Sequence, residues 1–145
     1  MLKGVPRILS PELLKILMEM GHGDEIVLAD ANFPAARVAQ RLVRADGHPV
    51  PELLDAVLKL FPLDTYIEKP AALMERVPGD TVETPVWDRY REIVERHTGL
   101  SDAFEYVERF DFYERASRAY AVVATGEAAQ YANLILTKGV IKEEQ

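Results

Sequence analysis

The chain contains no cysteine among its 145 residues. That absence excludes a disulfide framework, a thiolate nucleophile, a cysteine-ligated zinc site and an iron–sulfur cluster. The sequence also lacks a P-loop, a G-x-G-x-x-G turn, a G-x-S-x-G elbow and an H-E-x-x-H helix. The familiar signatures of nucleotide binding, serine hydrolysis and zinc proteolysis are therefore missing.

Histidine and positive charge are scarce. The three histidines, His22, His48 and His97, are widely separated, and their spacing does not predict a metal site. There are 17 lysines and arginines against 24 aspartates and glutamates, which gives a formal net charge of −7. Without a basic stripe, the sequence does not predict binding to nucleic acid or to an anionic membrane.

Long apolar runs are absent too. No stretch approaches the roughly 18 residues of a membrane span, and residues 1–7 lack the apolar core of an export signal. We therefore expect a cytoplasmic protein. Hydrophobic residues make up 48% of the chain, enough for a core, and the length predicts a single domain over residues 1–145. In a domain this small, a deep pocket can require a wall from a second subunit.

Apolar periodicity predicts strands that alternate with helices, which favours a layered α/β fold. Ser10 and Pro11 suit the start of a helix, and Gly21 suits its end. The apolar run at residues 26–29 predicts a strand buried on both faces. Further helices are predicted from Pro51, from residue 85 with Thr84 as N-cap, and over residues 110–117. Further strands are predicted near residues 42–43, 71–76, 104–107, 120–124 and 134–136.

Two residues around the strand at 26–29 are candidates for a site. His22 lies in a loop between two glycines, and histidine is the usual proton carrier near neutral pH. The alternative is an exposed loop residue. Asp24 and Asp30 are the nearby carboxylates that could tune the proton affinity of the His22 ring toward neutrality. Asp30 follows the strand, at the sheet edge where α/β proteins bind ligands. It is either an acceptor for sugar or alcohol hydroxyls or the start of an Asx turn.

A second group of candidates lies near the last strands. Arg109 comes after the strand at 104–107 and before the helix at 110–117, which favours a role in a site. Tyr120 and Tyr131, taken singly, are typical of tyrosines at the edge of a core. Asn133 precedes the last strand, where it is either a turn residue or a hydrogen-bonding clamp.

Several blocks of the sequence resemble the RbsD/FucU family of sugar mutarotases. In the first half they are residues 10–14, 19–26, 29–34 and 44–47. In the second half they are residues 109–116, 125–127 and 131–140. The blocks occur in order over nearly the whole chain, which is more specific than any one of them.

The resemblance implies a three-layer α/β sandwich with a mixed β-sheet flanked by helices. It also implies homo-oligomers, often decamers of two stacked pentameric rings, with sites shared between neighbouring subunits. The substrate would be a monosaccharide, and no cofactor would be required.

The same resemblance implies roles for particular residues. His22 would be the acid–base residue, and we expect Tyr131, or with less support Tyr120, to be its catalytic partner. The residues implied to bind the sugar are Asp30, Arg109, Tyr131, Ala132 and Asn133.

Two residues depart from the family pattern. Ala132 stands where glycine is expected, and alanine would be strained there if the position needed a positive φ. Asn32 stands where some relatives carry histidine, so a mechanism with two histidines loses one of them while His22 remains.

The expected reaction is consistent with these residue types. Anomers interconvert through the open-chain aldehyde, which needs a base at the anomeric hydroxyl and an acid at the ring oxygen but no electron or group transfer. We therefore expect interconversion of the α and β anomers of L-fucopyranose. Two alternatives remain: a D-ribose pyranase, which uses the same ring opening to convert ribopyranose toward the furanose, and a sugar-binding module without catalysis.

Overall fold

A computed structural model describes residues 1–143 of the chain. Its six strands are β1 (Glu25–Ala29), β2 (Leu42–Ala45), β3 (Ala71–Met74), β4 (Phe104–Val107), β5 (Ala121–Thr125) and β6 (Leu134–Thr137). Its helices are α1 (Pro11–Glu19), α2 (Ala35–Val38), α3 (Val50–Leu58), α4 (Pro85–Thr98) and α5 (Arg109–Arg118). The strands form one sheet in the order β2-β5-β1-β6-β3-β4.

Strand direction gives the sheet two chemically different edges. Strand β5 pairs in parallel with β1 and β2, and β3 pairs in parallel with β4. Strand β6 lies between β1 and β3 and is antiparallel to both. We call the edge with the carboxyl ends of β1–β5 and the start of β6 the carboxyl edge. The opposite edge, with the starts of β1–β5 and the end of β6, is the amino edge.

Both faces of the sheet are covered. Alternate residues of β1 show the division: Ile26 and Leu28 pack in a cluster with residues of α1, α3 and α4, whereas Val27 and Ala29 pack with residues of α2 and α5. Burial on both sides explains why β1, β3, β5 and β6 read as continuous apolar runs. The predicted three-layer sandwich with a mixed sheet is confirmed.

The helix ends show which local predictions were correct. Ser10 caps α1, since its Oγ accepts a hydrogen bond from the Leu13 N–H at 3.1 Å. Thr84 is the N-cap of α4 as predicted, although its side chain makes no capping hydrogen bond. Helix α1 ends at Glu19 with an extended C-cap at Met20, whereas α4 ends at Thr98 with Gly99 as its left-handed C-cap at φ 76°. No helix within residues 1–143 has the length and apolarity needed to cross a membrane.

Candidate functional site

A cavity of about 380 Å³ opens at the carboxyl edge. It is lined by four segments: the loop after β1, the loop after β3, the first turns of α5 and the loop before β6. Four of the sequence-predicted residues line it, namely Asp30, Arg109, Tyr131 and Asn133. They are up to 103 positions apart in the sequence. The shared direction of β1, β3 and β4 and the reversed direction of β6 bring them to the same edge.

Asp30 and Asn133 form the fixed polar floor of this cavity. The Asp30 N–H donates to Asn133 Oδ1 at 2.7 Å, and both residues are buried. Asn133 lines the cavity, and its side-chain amide also carries two N–H donors. The Asp30 carboxylate accepts the Asn32 N–H at 3.0 Å, so the predicted Asx turn is present and the side chain is oriented by it. Burial raises the pKa of Asp30, while backbone N–H groups act in the opposite direction.

The loop before β6 is held by helix α4. Trp87 Nε1–H donates to the Tyr131 carbonyl at 2.7 Å, and the Tyr90 hydroxyl donates to the Ala132 carbonyl at 2.8 Å. Among non-glycine residues of the described chain, Tyr131 alone has a positive φ, at 56°. Ala132 therefore does not carry the strain that a positive φ would impose, and its methyl group is buried in the core. Alanine is a mild departure at this position.

The Tyr131 hydroxyl is bound from two sides. It donates to Asp80 Oδ2 at 2.6 Å and accepts the Val77 N–H at 3.3 Å. The hydrogen bond to Asp80 raises the pKa of Tyr131 above its ordinary value, and the same bond lowers the pKa of Asp80. Tyr131 is therefore a neutral phenol around neutral pH.

Arg109 and Tyr113 form one wall of the cavity. Arg109 is the first residue of α5, not a residue before the helix as predicted, because Glu108 is the N-cap. The Arg109 Nε–H lies 3.4 Å from the Tyr113 hydroxyl oxygen. The Tyr113 ring packs against Phe33, with ring centroids 5.5 Å apart, so the wall joins an apolar surface to a charged donor.

His22 lies at the amino edge, away from this cavity. It precedes β1 whereas Asp30 follows it, and five strand residues span about 17 Å. His22 Nε2 lies 3.1 Å from Oδ1 of Asp64, a carboxylate that is only 4% exposed, while the His22 side chain is 43% exposed. Asp24 is not its partner, since that carboxylate accepts the Gly21 N–H.

Asp64 is well suited to hold the histidine. Burial acts to raise its pKa, but the Tyr66 N–H and the contact with His22 outweigh that effect and hold the pKa of Asp64 below its ordinary value. Its Oδ1 also accepts the Tyr66 N–H at 3.1 Å, and the Tyr66 ring lies against the imidazole at 5.2 Å between centroids. The His22 ring is therefore oriented by a carboxylate 42 positions away in the sequence.

Tyr120 also lies at the amino edge. Its hydroxyl donates to Glu19 Oε2 at 2.8 Å, and the Arg41 guanidinium lies 4.0 Å from the ring centroid. The hydrogen bond to Glu19 raises the pKa of Tyr120. Tyr120 is thus engaged in surface contacts and does not line the cavity.

Sequence reasoning missed three residues that complete these arrangements. Tyr113 lies four residues after Arg109 on the same face of α5, and that spacing is the one signal for it. Asp80 follows Pro78 and Gly79, so the sequence indicates only a turn there. Asp64 follows Pro62 and Leu63 with no distinctive pattern, so nothing local signalled its contact with His22. Across residues 1–143, no three side chains from His, Cys, Asp and Glu come close enough to hold a metal ion.

Comparisons with known proteins agree with this architecture. The model of the RbsD / FucU transport protein family matches residues 3–141. The human fucose mutarotase is 60% identical over 97% of this chain and 94% of its own length. The zebrafish fucose mutarotase is 55% identical over 99% of this chain and 97% of its own.

Solved structures of FucU, a fucose mutarotase and RbsD are also similar to this chain. FucU from Bifidobacterium longum is 57% identical and has a TM-score of 0.95, with 97% of this chain and all of that chain covered. The fucose mutarotase of Streptococcus pneumoniae, solved in complex with L-fucose, is 52% identical with a TM-score of 0.93 over 97% of this chain and all of its own. Bacillus subtilis RbsD complexed with D-ribose is more distant, at 25% identity and a TM-score of 0.72 over 98% of this chain. The chain belongs to the RbsD / FucU family.

Proposed function

We propose that this protein is a fucose mutarotase, which interconverts the α and β anomers of L-fucopyranose by opening and reclosing the sugar ring. One observation carries the proposal. The carboxyl-edge cavity places Asp30, Asn133, Arg109 and Tyr131 around a space of about 380 Å³, in a chain that is 52% identical to a fucose mutarotase solved with L-fucose.

The cavity has the features that a small neutral sugar requires. Asp30 supplies acceptor oxygens, while Asn133 and Arg109 supply donors, so sugar hydroxyls find both kinds of partner. Phe33 and Met74 add an apolar surface to the lining. Such a surface suits the C–H groups of a sugar ring and the methyl group of a 6-deoxy sugar.

The chemistry needs only proton transfers. A base removes the proton of the anomeric hydroxyl, an acid protonates the ring oxygen, and the ring C–O bond breaks to give the aldehyde. Rotation about the bond to the aldehyde carbon followed by reclosure reverses both transfers. In our proposal His22 is the acid–base residue and Tyr131 is its partner. Tyr131 ranks ahead of Tyr120 because it lines the cavity, whereas the Tyr120 hydroxyl donates to Glu19.

His22 must come from another subunit in this proposal. It lies at the amino edge, and the sugar would bind at the carboxyl edge. Both edges carry exposed apolar side chains, with Met18 84% exposed near His22 and Phe110 68% exposed beside Arg109. An interface that joins the amino edge of one subunit to the carboxyl edge of the next would bury such groups and bring His22 to the cavity.

An interface between two different surfaces repeats around a ring until the ring closes. The resemblance to the family implies the size of that ring, and on that ground we extend the proposal to pentameric rings stacked as decamers. Each subunit is one domain, and it acts in the cytoplasm on a monosaccharide without a cofactor.

The experiment is anomer exchange measured by NMR saturation transfer on L-fucose, D-ribose and D-galactose with one protein batch. We expect the largest acceleration for L-fucose. Faster exchange between ribopyranose and ribofuranose would favour a ribose pyranase. Sugar binding with no acceleration of any exchange would favour a binding module and contradict the proposal.

A further inference from the structure

The loop between β3 and α4 carries Asp80, a residue to which the proposed reaction assigns no role. Asp80, in this loop, touches the Tyr131 hydroxyl from 51 positions away. The two Asp80 oxygens have separate partners: Oδ1 accepts the Val82 N–H at 3.0 Å, and Oδ2 accepts the Tyr131 hydroxyl at 2.6 Å. The first bond shapes the turn, and the second reaches into the cavity.

The hydrogen bonds of Tyr131 determine what it can offer a sugar. A phenol has one O–H donor and two acceptor sites. The donor is used by Asp80, and one acceptor site is used by the Val77 N–H. What remains is one acceptor site on the hydroxyl of a residue that lines the cavity. In this arrangement the phenol receives a hydrogen bond from a sugar hydroxyl and cannot donate one.

We propose that Asp80 is a positioning residue that makes Tyr131 the base, and not the acid, of the ring-opening step. The inference rests on the proposed function and deepens it. As the anomeric O–H bond breaks, the sugar proton passes to the Tyr131 oxygen and the phenol proton passes to Asp80 Oδ2. No phenolate forms, and the ring oxygen receives its proton from the neighbouring subunit's acid group. Reclosure on the other face of the aldehyde returns every proton.

Charge keeps Asp80 an acceptor for the Tyr131 hydroxyl. A carboxylate is an acceptor only, so it holds the phenol proton with a charge-assisted hydrogen bond. The Arg76 guanidinium favours the anionic form of Asp80, which keeps this carboxylate an acceptor before the sugar binds. The Arg109 guanidinium lines the same cavity, where it would stabilise the negative charge that develops on the sugar oxygen as its proton leaves.

Asp80→Asn is the informative variant. Asparagine can still accept the Val82 N–H and keep the turn, but its amide would donate to the Tyr131 oxygen and release the phenol proton. We expect kcat for L-fucose anomer exchange to fall about 10- to 100-fold, the range for loss of a charged hydrogen bond, with KM changed less than kcat. Asp80→Glu, which restores a carboxylate, should recover part of the loss. Asp102→Asn removes an exposed carboxylate that does not line the cavity and is bound to Lys69 at 2.6 Å, and it serves as the control that should retain full activity.

Two further measurements separate this role from a purely structural one. The double variant Asp80→Asn/Tyr131→Phe should be no slower than Tyr131→Phe alone, because Asp80 acts through the phenol. Without any sugar, ultraviolet titration should show the pKa of Tyr131 falling toward its ordinary value of about 10 in Asp80→Asn, with Tyr131→Phe identifying the signal.

The outcomes distinguish failure of the inference from failure of the proposed function. If wild-type protein does not accelerate anomer exchange, the proposed function is overturned, and with it the proton transfer from Tyr131 to Asp80. The titration then reports only whether the hydrogen bond between Asp80 and Tyr131 forms. Active wild-type protein with Asp80→Asn within twofold of it overturns the inference alone. Additive losses in the double variant also overturn it, since Asp80 would then act elsewhere.

Discussion

The two edges of the sheet hold different halves of the proposed chemistry. At the carboxyl edge, Asp30 and Asn133 are buried and bonded to each other, and a phenol and a guanidinium face the same cavity. At the amino edge, a half-exposed His22 is held by buried Asp64 beside an apolar surface. In our proposal, one edge recognises hydroxyl groups and the other presents a proton carrier.

The difference teaches how a small domain can build a complete site. A chain of 145 residues has room for a shallow cavity at one edge and a mounted histidine at the other, but strand β1 keeps them apart. Assembly through unlike edges, as we propose it, would join them without any added segment. The separation within one chain is therefore a reason for oligomerisation in our proposal.

Replacing His22 should have the largest effect. His22→Ala should reduce catalysed L-fucose exchange by about 100-fold or more, the usual contribution of a general acid–base group. Sugar affinity should change much less, because the cavity is at the other edge. The measurement is saturation transfer, with isothermal calorimetry for affinity and His48→Ala as the matched control. Full activity in His22→Ala would contradict the claim that the amino edge supplies the acid–base residue.

Gly139 offers a smaller and indirect test. A Cβ at Gly139 would lie 2.7 Å from both Asp64 Cα and the Leu63 carbonyl oxygen, so the backbone that carries Asp64 must shift. We expect Gly139→Ala to lower the free energy of unfolding by about 1–3 kcal/mol and to reduce kcat more than affinity. Gly47→Ala is the control, since a Cβ there meets nothing within 4 Å. If Gly139→Ala and Gly47→Ala had equal effects in urea denaturation and in exchange assays, the role of the Asp64 backbone in holding His22 would be contradicted.

The pH dependence of stability should show the smallest effect. The pKa of Asp64 is lowered in the folded protein, so its stabilising contribution is complete above the unfolded pKa of about 3.9 and is lost as pH falls through the lower folded pKa. The difference in unfolding free energy between wild type and Asp64→Asn should therefore shrink below about pH 3.9. Urea denaturation at fixed protein concentration measures it. A difference that grows on acidification would show that Asp64 is not the stabilised carboxylate.

The sequence predicted most of the architecture but not the direction of its strands. Buried strands such as β1 and β6 are recognisable as apolar runs, yet a run reads the same in a parallel and an antiparallel strand. That β6 is reversed decides that Asn133, which precedes it, meets Asp30, which follows β1. Helix α2 was missed because four residues after Pro34 are too few to show a helical period.

Individual site residues differ in how far the sequence reveals them. Asp30 could be placed because a carboxylate directly after a buried strand has few possible locations. Asp80 could not, because an aspartate after Pro78 and Gly79 is fully explained by a turn, and one of its oxygens does bind the turn. Its other oxygen binds a residue 51 positions away, and no local pattern encodes such a contact.

Complementation between subunits tests the central claim most directly. His22→Ala and Asp30→Asn, each expected to be nearly inactive alone, are co-expressed with different tags, and mixed oligomers are isolated by two affinity steps. If each site takes His22 from one subunit and Asp30 from its neighbour, about one quarter of the sites in a random mixture contain both. The account predicts that L-fucose exchange returns to about that fraction of wild-type activity. Mixed oligomers as inactive as their parents would contradict it.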